Sequence, residues 1–154
     1  MREVLHRARR TEEGFTLIEL MMVVLIIAIL LTIAIPTFLG ARERANDTSA
    51  KGDLRVALTA AQVHYADTED YRLLTVPIME EIEPHLEYDA NVTGATEHVI
   101  GFSDVGANNI VMAHKAKNGD YFCIALSSAG TTFGRAPALA GVDSIGECVG
   151  GWEV

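Results

Sequence analysis

An uncharged apolar run at residues 20–39 constrains this chain more than any other feature of the sequence. An α-helix rises about 1.5 Å per residue, so the run would be roughly 30 Å long, the thickness of the hydrocarbon core of a bilayer. In a chain of 154 residues, about 100 remain for one domain with a modest core. We therefore predict a membrane-spanning helix near the N-terminus, followed by a single small domain.

The residues that flank the run predict its orientation and its retention. Four arginines precede it, Arg2, Arg7, Arg9 and Arg10. The positive-inside rule therefore keeps the N-terminus in the cytoplasm and sends the C-terminal part across the membrane. A cleaved secretory signal has a shorter apolar core. A conventional cut near Ala41, where small residues occur, is the alternative, but the length of the run favours a retained helix.

One carboxylate, Glu19, lies directly before the run, where a plain membrane anchor has no use for it. In the first turn of a helix a carboxylate is favoured by the helix dipole and can face a nearby cation. Gly14 has no side chain and a permissive backbone, so an extended segment there can enter a protease cleft closely. The alternative for Glu19 is a residue at the membrane interface that needs no partner, since charges cost much less there than at the midplane.

The sequence GFTLIE at residues 14–19, followed by a long apolar helix, resembles the processing motif of type IV prepilins and of the related pseudopilins. The resemblance implies that a prepilin peptidase cuts after Gly14 on the cytoplasmic side. It also implies methylation of the new N-terminal amine, on Phe15. Glu19 and Pro36 correspond to the family's glutamate at the fifth mature position and to its proline further down the helix. Both are therefore expected to serve filament assembly.

Three segments follow from this interpretation. Residues 1–14 are a cleaved cytoplasmic leader, and residues 15–40 are a hydrophobic transmembrane and assembly helix. Residues 41–154 hold the C-terminal half of the helix and an exported β-rich globular domain. The expected fold class is α+β: a long N-terminal helix packed on a small antiparallel sheet, as in pilins.

The helix is expected to continue past the apolar run to about Thr68, with one amphipathic face. Small and apolar residues recur there at spacings of three and four: Ala45, Thr48, Leu54, Ala57, Leu58, Ala61 and Tyr65. Proline inside a helix removes a backbone donor and crowds the preceding turn. We therefore expect the helix to bend or loosen between Pro36 and Gly40.

The rest of the domain is predicted from short runs and turn signals. A short helix at residues 76–83 would be capped by Thr75 and closed by Pro84. The runs TEHVIGFSD, NIVMAHKA and YFCIALS are typical of strands, and residues 117–120 suit a hairpin turn. Three or four antiparallel strands are expected. Residues 127–146, rich in glycine and alanine, are interpreted as a long irregular loop.

The only two cysteines, Cys123 and Cys148, suit an exported domain. A disulfide between them would enclose the predicted loop and stabilise the fold by about 3 to 4 kcal/mol on the loop-entropy model. The alternative is a pair of buried free thiols in a cytoplasmic protein.

Residues for other chemistry are sparse. The sequence has no nucleophile motif, phosphate-binding loop or dinucleotide fingerprint, so neither an enzyme nor a cofactor is expected. An acidic run at residues 80–89 is interpreted as a solvated face rather than a calcium site. Two triplets, residues 46–48 and 91–93, match the glycosylation acceptor pattern, which is common by chance. Four histidines lack ligand spacing, so no metal site is predicted: His64, His85, His98 and His114.

Charge argues against nucleic acid as a default ligand. The net charge is −9 and becomes −10 without residues 1–14, which hold four Arg and three Glu. Binding that follows a phosphate backbone needs the opposite sign. A local basic patch is expected at the membrane surface or between subunits, from Arg42, Arg44, Lys51 and Arg55.

The resemblance implies a structural role, as a type IV pilus-like filament subunit that forms a helical homo-oligomer through its apolar helix. It also implies a prepilin peptidase, an assembly ATPase and a membrane platform protein as partners, and roles in adhesion, motility or DNA uptake. The precursor would lie in the cytoplasmic membrane and the assembled pilus outside the cell. Two alternatives remain: a pseudopilin of a type II secretion or competence system, and a membrane-tethered binding domain that never polymerises.

Overall fold

The computed structural model describes residues 14–141 and 144–152. It confirms the predicted α+β class, with one long N-terminal helix and a five-stranded, mostly antiparallel sheet. The described residues divide into two compact units, between Gly40 and Ala41. The predicted leader lies outside the described residues, apart from Gly14.

Helix α1 spans Leu17–Thr68, and the first unit contains its apolar part, which ends at Gly40. Every side chain from residue 14 to residue 39 is exposed, and the most apolar window has a mean hydropathy of 3.0. By length and composition α1 can cross a membrane. The two threonines in the apolar part of α1 make hydrogen bonds within the helix. Thr32 Oγ1 donates to Ala28 O at 2.8 Å, and Thr37 Oγ1 donates to Ile33 O at 3.0 Å.

Helix α1 is continuous through Pro36 and Gly40, so the loosening expected there is absent from this structure. Pro36 cannot donate to the carbonyl of Thr32, which removes one helical hydrogen bond. The other backbone hydrogen bonds of the helix remain, and α1 stays helical across the missing bond.

In the second unit, the sheet has strand order β1 to β5 along the chain. Strands β2 to β5 form antiparallel neighbours, whereas β1 pairs with β2 in parallel. The four antiparallel strands agree with the expected three or four, and the parallel strand β1 was not predicted. The strands are β1 Glu87–Asp89, β2 Val99–Gly106, β3 Asn109–Lys115, β4 Tyr121–Ser127 and β5 Gly130–Ala136.

Strand β5 lies inside the stretch that the sequence predicted to be an irregular loop. It pairs with β4 over its full length, from Ser127 opposite Gly130 to Tyr121 opposite Ala136. Gly130 has φ of +121°, which glycine adopts without strain and which allows the tight return of the chain. The prediction failed because glycine and alanine obscured the strand signal, while the long ladder on β4 stabilises the strand.

The short helix α2 covers Val76–Ile82, one residue less than predicted. Thr75 occupies the N-cap position as expected, but its side chain makes no capping hydrogen bond. Pro77, in the first turn, fits there because the first amide groups of a helix have no partner within the helix.

Both faces of the sheet are apolar. On β3, Ile110 and Met112 belong to the cluster that includes α1, whereas Val111 and Ala113 belong to a second cluster. This alternation follows the two-residue period of a strand. The α1 residues in the first cluster are Ala50, Leu54, Ala57, Leu58, Ala60 and Ala61.

The buried stripe of α1 begins later than the sequence predicted, because Ala45 and Thr48 are exposed. One turn before Ala50, the stripe falls on Asn46 and Asp47, which are half-buried. Because these two residues are polar, they interrupt the apolar pattern of the buried face. The neighbouring Ala45 and Thr48 were therefore wrongly predicted to lie on that face.

Candidate processing and assembly site

Thr16 and Glu19 form a reciprocal cap at the start of α1. Glu19 Oε2 accepts from Thr16 N at 2.9 Å and from Thr16 Oγ1 at 2.6 Å. In return, Glu19 N donates to Thr16 Oγ1 at 3.3 Å. This is the capping-box arrangement, in which two backbone donors at the helix start gain partners. The predicted carboxylate therefore has a local structural role, and Thr16 is a residue that the sequence analysis missed although its Thr-x-x-Glu spacing is visible.

Gly14 and Phe15 lie directly before this cap. Phe15 is 85% exposed, so its backbone is accessible to another protein. A Cβ atom added at Gly14 would meet no atom within 4 Å in the described part of the chain. The described part of the fold therefore sets no steric limit on the side chain at position 14.

The two cysteines lie in the second unit, far along the chain from this cap. Cys123 on β4 and Cys148 are at disulfide-bonding distance, with their Cα atoms 5.8 Å apart, and both are fully buried. A Cβ atom at Gly134 of β5 would come within 2.8 Å of Cys123 Sγ. Gly134 therefore leaves room for the cysteine pair, a role that only the strand pairing reveals.

Trp152 fixes the C-terminal segment on the sheet. Its Nε1 donates to Cys123 O at 2.9 Å, and its ring packs edge-on against Phe133 with centroids 4.7 Å apart. Gly151 N also donates to Phe133 O at 2.9 Å. The sequence analysis did not single out Trp152, although it is the single tryptophan of the chain and lies four residues after Cys148.

Part of the predicted basic patch packs on this aromatic group. Arg55 Cζ lies 5.0 Å from the centroid of the Trp152 ring, and Lys51 Nζ lies 5.7 Å from it. These are cation–π distances. Arg42 and Arg44, which lie nearer the N-terminal end of α1, are exposed. The patch is therefore divided between residues engaged with the domain and residues open to solvent.

The histidines do not form a metal centre in the described residues, where no three ligating side chains are placed to hold an ion. His85, His98 and His114 line a shared polar pocket. His114 is 6% exposed, and its Nδ1 lies 3.7 Å from Asp53 Oδ2. Burial lowers the pKa of His114 from its ordinary value of 6.5, and the negative charge of Asp53 opposes that effect.

Comparison with known proteins gives one motif with known bounds and several similar proteins. The prokaryotic N-terminal methylation motif matches residues 9–35. The type IV wide pilus major component of Thermus thermophilus is 45% identical over 62 residues, which is 40% of this chain and 47% of that protein. The type IV major pilin protein of Myxococcus xanthus is 45% identical over 58 residues, or 38% of this chain and 26% of that protein.

One similarity covers most of the chain. The type II secretion system core protein G of Escherichia coli is 26% identical over 119 residues, which is 75% of this chain and 81% of that protein. The matches to the Thermus and Myxococcus proteins span less than half of those proteins. No solved structure matches the chain. The N-terminal segment carries the prokaryotic N-terminal methylation motif, the signal of type IV pilins and pseudopilins.

Proposed function

We propose that this chain is a structural subunit of a type IV pilus-like filament. The precursor lies in the cytoplasmic membrane with its N-terminus inside, and the processed subunit joins an extracellular pilus. The observation that carries the proposal is an exposed apolar helix that begins with a carboxylate cap and coincides with the methylation motif. Exposed apolar surface of this extent is unfavourable in water. Lipid covers it before assembly, and the helices of neighbouring subunits cover it afterwards.

Processing would create the N-terminus that assembly uses. A prepilin peptidase cuts after Gly14, and the amine of Phe15 is then methylated. Among the described residues the space beside Gly14 is open, so a requirement for glycine there would come from the peptidase. An assembly ATPase and a membrane platform protein complete the machinery that this role requires.

Glu19 would pair with that new amine in the filament. An α-amino group is cationic near neutral pH, with a reference pKa of about 7.7 to 8.0. Glu19 Oε2 is engaged by Thr16, whereas Glu19 Oε1 accepts no hydrogen bond in the described part of the chain. One oxygen can thus keep the cap while the other receives an amine. Burying both charges together costs less than burying either alone, and a pair between subunits would set the register of neighbouring helices.

The test separates the cap from the charge with three variants. Glu19→Ala removes both, Glu19→Gln keeps an accepting oxygen without the charge, and Thr16→Val removes the hydroxyl of the cap. Each is co-expressed with tagged native subunits, and its fraction in sheared filaments is compared with its level and mass in the membrane.

If the charge sets the register, the fraction of subunits found in sheared filaments should fall by roughly tenfold or more for both Glu19→Ala and Glu19→Gln. The reason is that a buried amine left without a charged partner is strongly unfavourable. Thr16→Val should assemble nearly as well as the native subunit. Normal assembly of Glu19→Gln would reject the charge pairing and leave only the cap. Absence of the native chain from sheared filaments would reject the filament role itself.

A pseudopilin of a type II secretion or competence system is the second candidate. The similarity that covers 75% of the chain, to a type II secretion system core protein G, favours it. The cysteine pair around β5 favours a pilin instead. Deleting the gene separates the two. Loss of surface filaments indicates a pilin, whereas loss of protein secretion or DNA uptake with surface filaments intact indicates a pseudopilin. Deleting a membrane-tethered binding domain would affect neither the filaments nor secretion and DNA uptake, and such a domain would never appear in filaments.

A further inference from the structure

The two glycosylation acceptor triplets differ sharply in the structure. The triplet at residues 46–48 lies within α1, and the triplet at residues 91–93 lies in a surface turn between β1 and β2. Both match Asn-x-Thr, the pattern recognised for N-linked glycans. We propose that Asn91 is an N-glycosylation site and that Asn46 is not. The proposal rests on the export of the second unit under the proposed function, but it does not need filament assembly.

Asn46 is poorly placed as an acceptor. It is half-buried on α1, and residues two apart on a helix do not face each other. Thr48 Oγ1 donates to Arg44 O at 2.8 Å, so its hydroxyl is engaged with the helix backbone. Asp47 Oδ1 accepts from Asn118 Nδ2 at 2.6 Å, which ties this turn to the loop before β4. The triplet therefore cannot leave the helix without breaking contacts of the domain.

Asn91 is presented outward by a firmly anchored turn. Val92 is 4% exposed and its backbone N donates to Ser103 Oγ at 3.0 Å, which fixes the middle of the triplet to β2. The two flanking residues, Asn91 and Thr93, are both exposed. Asn91 is the N-cap of the 3₁₀ turn Val92–Gly94. Buried valine and exposed neighbours thus orient the two recognised side chains toward solvent.

The amide of Asn91 is polarised in the sense that glycosyl transfer needs. Its Oδ1 accepts from Thr93 N at 3.0 Å and from Thr93 Oγ1 at 2.8 Å. Two donors on the oxygen withdraw electron density from the amide, so an Nδ2 proton becomes easier to remove. Nδ2 itself donates to no acceptor in the described part of the chain, so it is available to a transferase.

The donor class is an oligosaccharide on a polyprenyl diphosphate, used by an exported oligosaccharyltransferase. Nδ2 of Asn91 attacks C1 of the first sugar, and the new bond is C1–Nδ2. The bond from C1 to the diphosphate oxygen breaks, and the lipid diphosphate leaves with the electron pair. The Nδ2 proton passes to a base of the transferase. No redox step or further co-reactant is required.

The position of the turn is compatible with a bulky modification. Val92 belongs to the apolar cluster formed with Val111 and Ala113, on the sheet face opposite α1. A glycan on the neighbouring Asn91 would therefore leave the α1 side of the sheet uncovered.

The test uses the full chain from membranes and filaments of cells that naturally produce it. Intact mass and fragmentation of the peptide around Asn91 should find one discrete carbohydrate increment. Asn91→Gln and the nearly isosteric Thr93→Val should lose it, whereas Thr93→Ser and Asn46→Gln should keep it. An unmodified Asn91 in the native chain, or an increment that persists in Asn91→Gln, would overturn the proposal.

The same mass spectrum distinguishes this proposal from the proposed function. Removal of the leader without any carbohydrate would reject the glycosylation site and leave the filament role standing. A chain with an intact leader and no carbohydrate would count against both. Carbohydrate on a processed chain that never enters filaments would support the site and reject the filament role.

Discussion

A bond between Cys123 and Cys148 is expected to contribute a large share of the free energy of unfolding of the second unit. The two residues are 25 apart in sequence. The loop-entropy relation gives about 3.5 kcal/mol at 25 °C for a closed loop of this length. Such a loss is a large share of the stability of a small domain. The double variant Cys123→Ala/Cys148→Ala should therefore unfold at clearly lower denaturant concentration.

The structure indicates why the loss should stay near this value. The acceptor of the Trp152 Nε1 hydrogen bond is the backbone carbonyl of residue 123, so the bond can still form in the variant, and the ladder between β4 and β5 remains. The tail should thus stay in place while the unfolded chain gains freedom. Cys148→Ser should cost somewhat more than alanine, because a hydroxyl placed in this fully buried position needs a partner.

The assay uses the single tryptophan of the chain. Trp152 lies against the strand that carries Cys123, so its fluorescence reports loss of the tail during guanidinium unfolding of detergent-solubilised protein. Thiol labelling of the denatured native protein without reductant should find no free cysteine. Two labelled thiols, or a change in unfolding free energy below about 1 kcal/mol in the double variant, would refute the reasoning.

Three further perturbations test other parts of the structure. Gly14→Val should leave the 14-residue leader attached in the membrane protein, as measured by mass spectrometry, and normal cleavage would contradict the processing site. Because burial lowers the pKa of His114 below 6.5 despite Asp53, the unfolded chain binds the proton more readily. The free energy of unfolding should therefore fall as pH drops from about 7 to 5. His114→Gln should flatten that slope, exposed His85→Gln should not, and equal slopes would reject this assignment. Leu54→Ala, at a fully buried position, should destabilise the second unit by about 2 to 5 kcal/mol in the same unfolding assay, and a loss under about 1 kcal/mol would contradict its core position.

The α+β class and the order of the main elements could be predicted because their signals are local. Strands β2, β3 and β4 each contain a β-branched or aromatic run bounded by turn residues. The cap on α1 is equally local, since Thr16 and Glu19 are three residues apart. The Thr-x-x-Glu spacing by itself predicts the contact between Thr16 and Glu19.

The errors concern elements whose stability comes from distant residues. Strand β5 has weak local propensity and depends on the ladder with β4. The buried stripe of α1 passes through Asn46 and Asp47 because the domain contacts that face: Asp47 accepts from Asn118. Neither fact can be read from a window of sequence, because the partner residues are far apart in the chain.

The sequence by itself determined that the chain carries a membrane-length apolar helix, a GFTLIE motif at its start and a single possible pair of cysteines. Hydropathy, motif spacing and a count of two cysteines depend on no contact between distant residues. Only the tertiary structure decided that β5 completes the sheet, that Trp152 holds the tail against Cys123, and that Asn91 rather than Asn46 is presented to solvent. Each of these depends on which side chains the folded sheet buries, and burial arises from packing between segments that the sequence keeps apart.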